Sequence, residues 1–499
     1  MRMLAVAALA AMPAAVRAGP PPSCEVLASL VLPETTITTA GFEPGDGSCR
    51  VEGTVAPAIR FEVWMPTEGW NGKVLGVGNG GMGGYVNTPA MALGLERGFA
   101  TAGTDGGHAG NPFDASWALG RPDLLVDFGH RATHVMTLAA KAIVTAFYGA
   151  PPARAYFMGC SSGGRQGLIE AERYPADYDG IVAGAPANPL TAMVVIGNWV
   201  SHAVRDRPES EIPAAKLPAI ARAVLARCDA RDSVVDGVVD APDRCPFRPR
   251  ALRCRRGAAE SDACLTAAQV KAVKRLHAGP GRARPRRAFH GFLPGGEVTA
   301  GSDLGPAGDP SIGGWEPWML GAPGLHHAIQ DSFLKFAVFE DPDWDWRTFD
   351  FRRDAAFVRR TLGDVLDAQG DLAAFRSRGG KIVMFHGWSD PAIPPLASVA
   401  YRRRVVWALG RRETDDFLRL FMAPGMQHCA GGAGPNVFDP LEALERWVET
   451  DVPPDVIVAS RRTGGVVDRS RPLCPYPQVA IWDGRGDTDA AASFACGRR

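Results

Sequence analysis

The chain has 499 residues, 46% of them hydrophobic and 22% charged, with a formal net charge of +0. That length exceeds one small domain and suffices to bury a large core, and the apolar share is that of a globular protein. Balanced charge gives no support to nucleic acid or an anionic membrane as partner, which leaves a small or neutral one.

The chain opens like an export signal. Arg2 supplies a positive start, residues 3–15 are apolar, and Val16-Arg17-Ala18 offers a small-residue cleavage site before Gly19. The apolar run is shorter than the ~20 residues that span a bilayer. Residues 1–18 are therefore expected to be a signal peptide, and the mature protein secreted or periplasmic. Ten cysteines agree with export: Cys24, Cys49, Cys160, Cys228, Cys245, Cys254, Cys264, Cys429, Cys474 and Cys496. Nearest neighbours pair as 24 with 49, 228 with 245, 254 with 264 and 474 with 496. Cys160 and Cys429 are left over, although spacing alone does not fix connectivity.

Residues 61–65 alternate like a strand. Residues 73–77 form a second, running into a glycine-rich loop at 76–84, and 99–103 form a third. Residues 134–147 have helical periodicity, with Val135, Leu138, Ala142, Ile143 and Phe147 on or near one face. A strand at 155–158, a helix at 164–173 and a strand at 180–184 follow. This alternation predicts a parallel sheet with helices on both faces. The rhythm breaks after about Pro189. Residues 190–375 mix helices with irregular stretches, including a basic run at 282–287 that reads as a solvated loop. The same segment gathers Trp315, Trp318, Trp344 and Trp346 with Phe333, Phe336 and Phe339, either as a pocket or as its own core. Strands resume at 381–385 and 418–422, and residues 440–448 read as a closing helix. The expected fold is α/β: an α/β-hydrolase core at 19–190 and 376–499, interrupted by an inserted lid domain at 191–375.

Gly159-Cys160-Ser161-Ser162-Gly163 fits the nucleophile elbow G-x-S-x-G, between a predicted strand and a predicted helix. A serine nucleophile needs a base, and the base an orienting acid. In this fold the order is serine, acid, histidine. Asp390 lies just past a predicted strand end, and His428 in the loop after the last predicted core strand. That placement selects His428, whereas His386, His108, His130 and His134 read as structural. Cys160 precedes Ser161 and Cys429 follows His428. If serine and histidine meet, a disulfide between their neighbours would clamp them. Two free thiols, or Cys160 as a thiolate nucleophile, are the alternatives. The oxyanion hole is expected to use the N–H of Ser162 and one from the glycine-rich loop, Gly80 or Gly81. Gly76, Gly78 and Gly81 also match the dinucleotide pattern G-x-G-x-x-G. Residues 82–89 read as further loop, however, so the helix that pattern needs is missing.

A second cluster lies in the insertion, where Asp229, Asp232, Asp236 and Asp240 crowd a segment without lysine. A hard cation such as Ca²⁺ tolerates that convergence. It is not an EF-hand loop, since Val234 stands where the turn glycine belongs. A solvated acidic turn is the alternative.

Together these segments resemble the tannase and feruloyl esterase family. The resemblance rests on Gly159-Cys-Ser-Ser-Gly-Gly-Arg-Gln-Gly167, His386-Gly-Trp-Ser-Asp-Pro391 and Pro424-Gly-Met-Gln-His-Cys429. Asn79-Gly-Gly81 and Thr104-Asp-Gly-Gly-His108 also resemble family segments, and the match covers nearly the whole mature chain. It implies a Ser161–Asp390–His428 triad, a Cys160–Cys429 bridge and a lid over the site. It also implies calcium in the lid, held by Asp229, Asp232, Asp236 and the carbonyls of Val234 and Val238. Ser233 stands where members often carry glycine. The family's galloyl, feruloyl and monohydroxyethyl terephthalate substrates imply a small aromatic ester here; a monohydroxyethyl terephthalate-type hydrolase and a non-catalytic secreted binding protein on a hydrolase scaffold are the alternatives. Residues 288–334 contain no Lys or Arg but include Glu297, Asp303, Asp309 and Glu316. A substrate carboxylate would want an arginine or lysine, so neutral aromatic esters are expected to be preferred over terephthalate monoesters.

Overall fold

A computed structural model describes residues 23–257, 259–281, 290–298 and 313–498. The expected signal segment, the basic run at 282–287, Asp303 and Asp309 lie outside them. Nine strands form one sheet: β1 (Thr35–Glu43), β2 (Ser48–Val55), β3 (Ile59–Pro66), β4 (Lys73–Val77), β5 (Ala100–Thr104), β6 (Arg154–Cys160), β7 (Gly180–Gly184), β8 (Lys381–Gly387) and β9 (Leu418–Ala423). Their order is β1-β2-β3-β5-β4-β6-β7-β8-β9. The first three are antiparallel to their neighbours, and β5 through β9 run parallel.

The parallel strands are short, five to seven residues, and both their faces are covered. β5 and β7 are buried at every position, which is why they read as continuous apolar or glycine-rich runs rather than alternating ones. One face packs under helices Ala132–Tyr148, Ser162–Arg173 and Leu396–Leu409, through Ile143, Phe147, Leu168, Ile169 and Val405. The other packs under helices Thr88–Glu96 and Pro440–Thr450, through Met91, Leu444 and Trp447. Helix Ala132–Tyr148 stops at Gly149, whose φ of 74° ends the turn. Helix Pro440–Thr450 starts with Pro440 in its first turn and the Asp439 side chain accepting from Glu442 N. A parallel sheet of this order, with helices on both faces, is the α/β-hydrolase fold.

Between β7 and β8 the chain leaves the sheet. Helices Leu190–Val204, Leu217–Cys228, Ala267–Ala278, Leu325–Phe333 and Arg353–Leu366 build a further layer there. Trp315, Phe333 and Leu334 are fully buried in its core, alongside Met82 and Phe128 from the sheet domain and Ala392 and Ile393 from the loop after β8. The insertion thus shares one apolar cluster with the strand ends. Most of its aromatic residues fill that core.

Three readings of the sequence are corrected here. The helix after the glycine-rich loop begins at Thr88, inside the span read as loop, but too far from Gly81 to form a dinucleotide turn. Helix Pro440–Thr450 does not close the chain. Two hairpins follow it, β10 (Ile457–Thr463) with β11 (Val466–Leu473) and β12 (Val479–Trp482) with β13 (Phe494–Gly497). The sheet also begins earlier than expected, at β1. No helix among the described residues is long and apolar enough to cross a membrane.

Candidate active site

Ser161 stands between β6 and helix Ser162–Arg173 with φ 62° and ψ −123°. Those angles are costly for a residue bearing Cβ and mark a tight strand-to-helix turn. The surrounding glycines permit it. A Cβ on Gly159 would lie 2.5 Å from the Gly163 carbonyl carbon, one on Gly78 2.5 Å from Gly163 Cα, and one on Gly164 2.3 Å from Gly184 O. No side chain fits at such separations, so the elbow can press directly on the glycine-rich loop.

Polar contacts fix that loop. Gln166 Nε2 donates to Asn79 Oδ1 at 2.9 Å, and Asn79 N donates to Gln166 Oε1 at 3.2 Å. Ser162 Oγ donates to the Gly81 carbonyl at 2.5 Å. Gly80 N donates to Tyr85 Oη at 2.9 Å. Gly81 N has no hydrogen-bond partner among the described residues. Ser162 N is the first amide of its helix and lies in the turn whose N–H groups have no partner within the helix. Asn79 and Gln166 emerge as positioning residues. Both stood within the quoted motifs, but their pairing needed the fold. Arg165, in the same motif, is fully buried. Its Nη atoms donate to the carbonyls of Phe128, Gly129 and Leu366, so it serves the fold and is not a binding cation.

Asp390 follows β8 and is buried. Its Oδ1 accepts from Ala392 N at 2.7 Å and Ile393 N at 2.9 Å. Its Oδ2 lies 2.8 Å from His428 Nδ1 and 3.1 Å from His386 Nε2. Burial alone would raise this carboxyl, but the two imidazoles outweigh it and hold Asp390 well below the usual carboxylate range. His386 thus stands beside the acid, where the sequence reading made it merely structural. Its position four residues before Asp390 was the available signal. His386 Nε2 faces two acceptors, Asp390 Oδ2 and the Ile393 carbonyl, so it carries the proton; Nδ1 faces Ser398 Oγ at 2.7 Å.

His428 lies in the loop after β9. The disulfide Cys160–Cys429 joins that loop to the serine elbow, with Cα atoms 6.0 Å apart. This removes Cys160 as a free thiolate. The other four pairs are Cys24–Cys49, Cys228–Cys245, Cys254–Cys264 and Cys474–Cys496. Trp318, in a π-helical turn at Glu316–Leu320, meets the His428 ring edge-on at 5.4 Å. His326 packs behind Trp318 and contacts the Pro391 carbonyl at 2.9 Å; burial pushes its imidazole down to about 4. Gln427 ties the insertion to the histidine loop, accepting from Gly314 N at 3.0 Å and donating to Val298 O at 2.8 Å. Of the remaining histidines read as structural, His108 stacks on Trp117, and His130 and His134 contact Tyr174.

The acidic loop of the insertion is held together by its own backbone. Asp229 accepts from Asp236 N and Gly237 N, Asp232 from Val234 N, and Asp236 from Val238 N. Ser233 takes the left-handed conformation, φ 76° and ψ 10°, that glycine adopts most easily. Val234 and Val238 are buried beside it. Asp232, Asp236, Val238 and Asp240 border a small cavity together with Arg471. Arg471 Nη2 donates to Asp236 Oδ2 at 2.5 Å and Arg469 Nη1 to the Asp236 carbonyl at 2.9 Å. These carboxylates and carbonyls are the oxygen donors a hard cation takes, but here the carboxylates are engaged by backbone N–H groups and by Arg471 and are not drawn together. The two arginines, more than 200 residues along the chain, supply positive charge that the loop's own sequence did not disclose.

Comparison with known proteins places this arrangement in a family. The model of the family "Tannase and feruloyl esterase" matches residues 45–497. An esterase of Xanthomonas campestris pv. campestris is 38% identical, with 95% of this chain and 91% of the relative covered. The mono(2-hydroxyethyl) terephthalate hydrolase of Piscinibacter sakaiensis is 34% identical, with 90% of this chain and 84% of the relative covered. Among solved structures, feruloyl esterase B from Aspergillus oryzae is similar with a TM-score of 0.84 at 26% identity, covering 95% of this chain and 99% of that one. The chain therefore belongs to the tannase and feruloyl esterase family and is a carboxylic ester hydrolase.

Proposed function

We propose that this chain is an exported serine esterase that cleaves neutral aromatic esters, of the feruloyl or galloyl type, through an acyl-enzyme on Ser161. The observation that carries this reading is the 2.8 Å contact between His428 Nδ1 and Asp390 Oδ2, on a loop covalently joined to the serine elbow. With Nδ1–H donated to Asp390, His428 keeps Nε2 free to accept a proton. Ser161 Oγ attacks the ester carbonyl and passes its proton to Nε2. The oxyanion is met by Ser162 N–H and an N–H of the Gly80–Gly81 loop. His428 then protonates the departing alcohol. Water, deprotonated by His428, hydrolyses the acyl-enzyme and frees the acid.

Two features support an aromatic, neutral acyl group. Trp318 sets a buried aromatic ring against His428 at 5.4 Å. The described parts of residues 288–334 bring no Lys or Arg to it, and Arg165 is committed to backbone carbonyls. One similar solved structure is a feruloyl esterase, which agrees. Five disulfides favour an oxidising compartment. The insertion acts as a lid carrying a structural calcium, held by Asp229, Asp232, Asp236 and the carbonyls of Val234 and Val238. When bound, the ion neutralises the carboxylates and takes no part in the reaction. The test is kcat/KM for methyl ferulate and methyl gallate against mono(2-hydroxyethyl) terephthalate at neutral pH. The methyl esters should be favoured; a higher value for the terephthalate monoester would overturn the argument from missing cations.

A further inference from the structure

Helices Ala132–Tyr148 and Ser162–Arg173 lie side by side, and a second cluster of ligand-type side chains forms where they meet the turn before β7. His134, Glu170 and Asp177 each bring one ligand atom to within 4.8 Å of the others. Among the described residues no other group of three or more His, Cys, Asp or Glu side chains converges so closely. His134 Nδ1 lies 2.6 Å from Asp177 Oδ2, and its ring is stacked on Tyr174 at 3.8 Å, which fixes its plane.

Glu170 is the informative member. It is 1% exposed, and no donor reaches either carboxyl oxygen; the Asp177 carboxylate, itself an acceptor, lies within hydrogen-bond reach. Lys141, the nearby cation, donates to the Asp177 backbone carbonyl. A buried carboxyl left bare next to a second carboxylate is unfavourable unless a proton or a cation lies between them. Burial, reinforced by Asp177, pushes the Glu170 carboxyl well above its usual range, in keeping with that need.

We propose that His134, Glu170 and Asp177 bind a divalent cation of the zinc class, remote from the ester-cleaving site. One imidazole nitrogen and two carboxylate oxygens form a donor set that suits zinc, whereas calcium and magnesium favour oxygen alone. His134, about a quarter exposed, gives the ion a way in from solvent. Binding replaces the protons that hold the empty cluster: the Glu170 carboxyl releases H⁺ as its oxygen coordinates the metal, and the Nδ1–H that His134 gives to Asp177 passes through solvent to Nε2, which frees Nδ1 as a ligand. The ion joins one helix to the helix that begins beside Ser161. Glu170 lies nine residues beyond the serine, about 13 Å along the helix axis, so the ion supports the scaffold and takes no part in ester cleavage.

The test uses the full chain, stripped with a chelator and reloaded with Zn²⁺ in saturating Ca²⁺, so that the acidic loop of the insertion does not compete. Bound zinc is read by elemental analysis after desalting, alongside the melting temperature. Wild type should retain about one equivalent and melt several degrees higher with zinc. The isosteric Glu170→Gln variant should lose both effects and keep its esterase kcat, and His134→Gln should behave likewise, which guards against misfolding of either variant alone. Absence of zinc from wild type, or equal zinc in all three proteins, would assign the cluster a shared proton and overturn the proposal.

Discussion

At Asp390 a single carboxylate oxygen meets two imidazoles. His428 stands on the loop that the Cys160–Cys429 bridge ties to the elbow, and His386 is locked between Asp390, the Ile393 carbonyl and Ser398. The second imidazole and two backbone amides orient the carboxylate before His428 needs it. Because Asp390 is held below its ordinary value, its ionic contribution to stability is present above about pH 4 and is lost as pH falls through the lowered value. The acid thus stays charged throughout the neutral range. Glu297 has the opposite sign. Burial pushes its carboxyl from 4.5 up to about 7, against the restraining N–H of Gly295. Its contribution is fully present below pH 4.5 and is lost as pH rises through about 7, because the unfolded chain releases the proton first. Glu297→Gln keeps the shape without the ionisation. Its melting temperature relative to wild type should climb between pH 4.5 and 7 and then level off. A difference that does not change with pH would refute this account of Glu297.

At the scale of elements, the Cys160–Cys429 bridge and Gln427 bind three segments into one unit: the serine elbow, the histidine loop and the insertion. The bridge closes a loop of 269 residues, for which chain entropy gives roughly 5 kcal/mol, less whatever order the unfolded chain retains. The double variant Cys160→Ala/Cys429→Ala should therefore unfold at lower denaturant. It should also lose kcat, because the histidine loop is no longer tied to the elbow. Unchanged kcat in a destabilised protein would separate the bridge from catalysis. The acidic loop is a second joint, bonded to β11 through Arg469 and Arg471. If it holds calcium, chelation lowers the melting temperature and added Ca²⁺ restores it, since a ligand of the native state alone stabilises that state. An unchanged melting temperature and no calcium by elemental analysis would contradict the site.

Over the whole molecule, the core was legible because its parallel strands are short continuous apolar or glycine-rich runs and its helices are apolar on a regular period. β1, with its exposed Thr36, Thr38 and Thr39, and the polar hairpin β10–β11 carried no such signal. Of the candidate site, Ser161, Asp390 and His428 were proposed from motif and order, and Cys160 and Cys429 from adjacency; the fold brings Asp390 to His428 and joins Cys160 to Cys429. The partners that hold them were not legible. Asn79 reaches Gln166 across 87 residues and Arg471 reaches Asp236 across 235, and neither pairing has a local pattern. Trp315 and Trp318 both belong to the insertion's core, and Trp318 also meets the His428 ring; sequence proximity made them look alike. The account as a whole turns on Ser161. The most direct measurement is hydrolysis of methyl ferulate and methyl gallate by wild type and by Ser161→Ala, with folding checked by melting temperature. The variant should fold normally and lose kcat by roughly 10⁴- to 10⁶-fold, as removal of a triad serine does elsewhere; near-wild-type turnover in a folded Ser161→Ala protein would contradict the account.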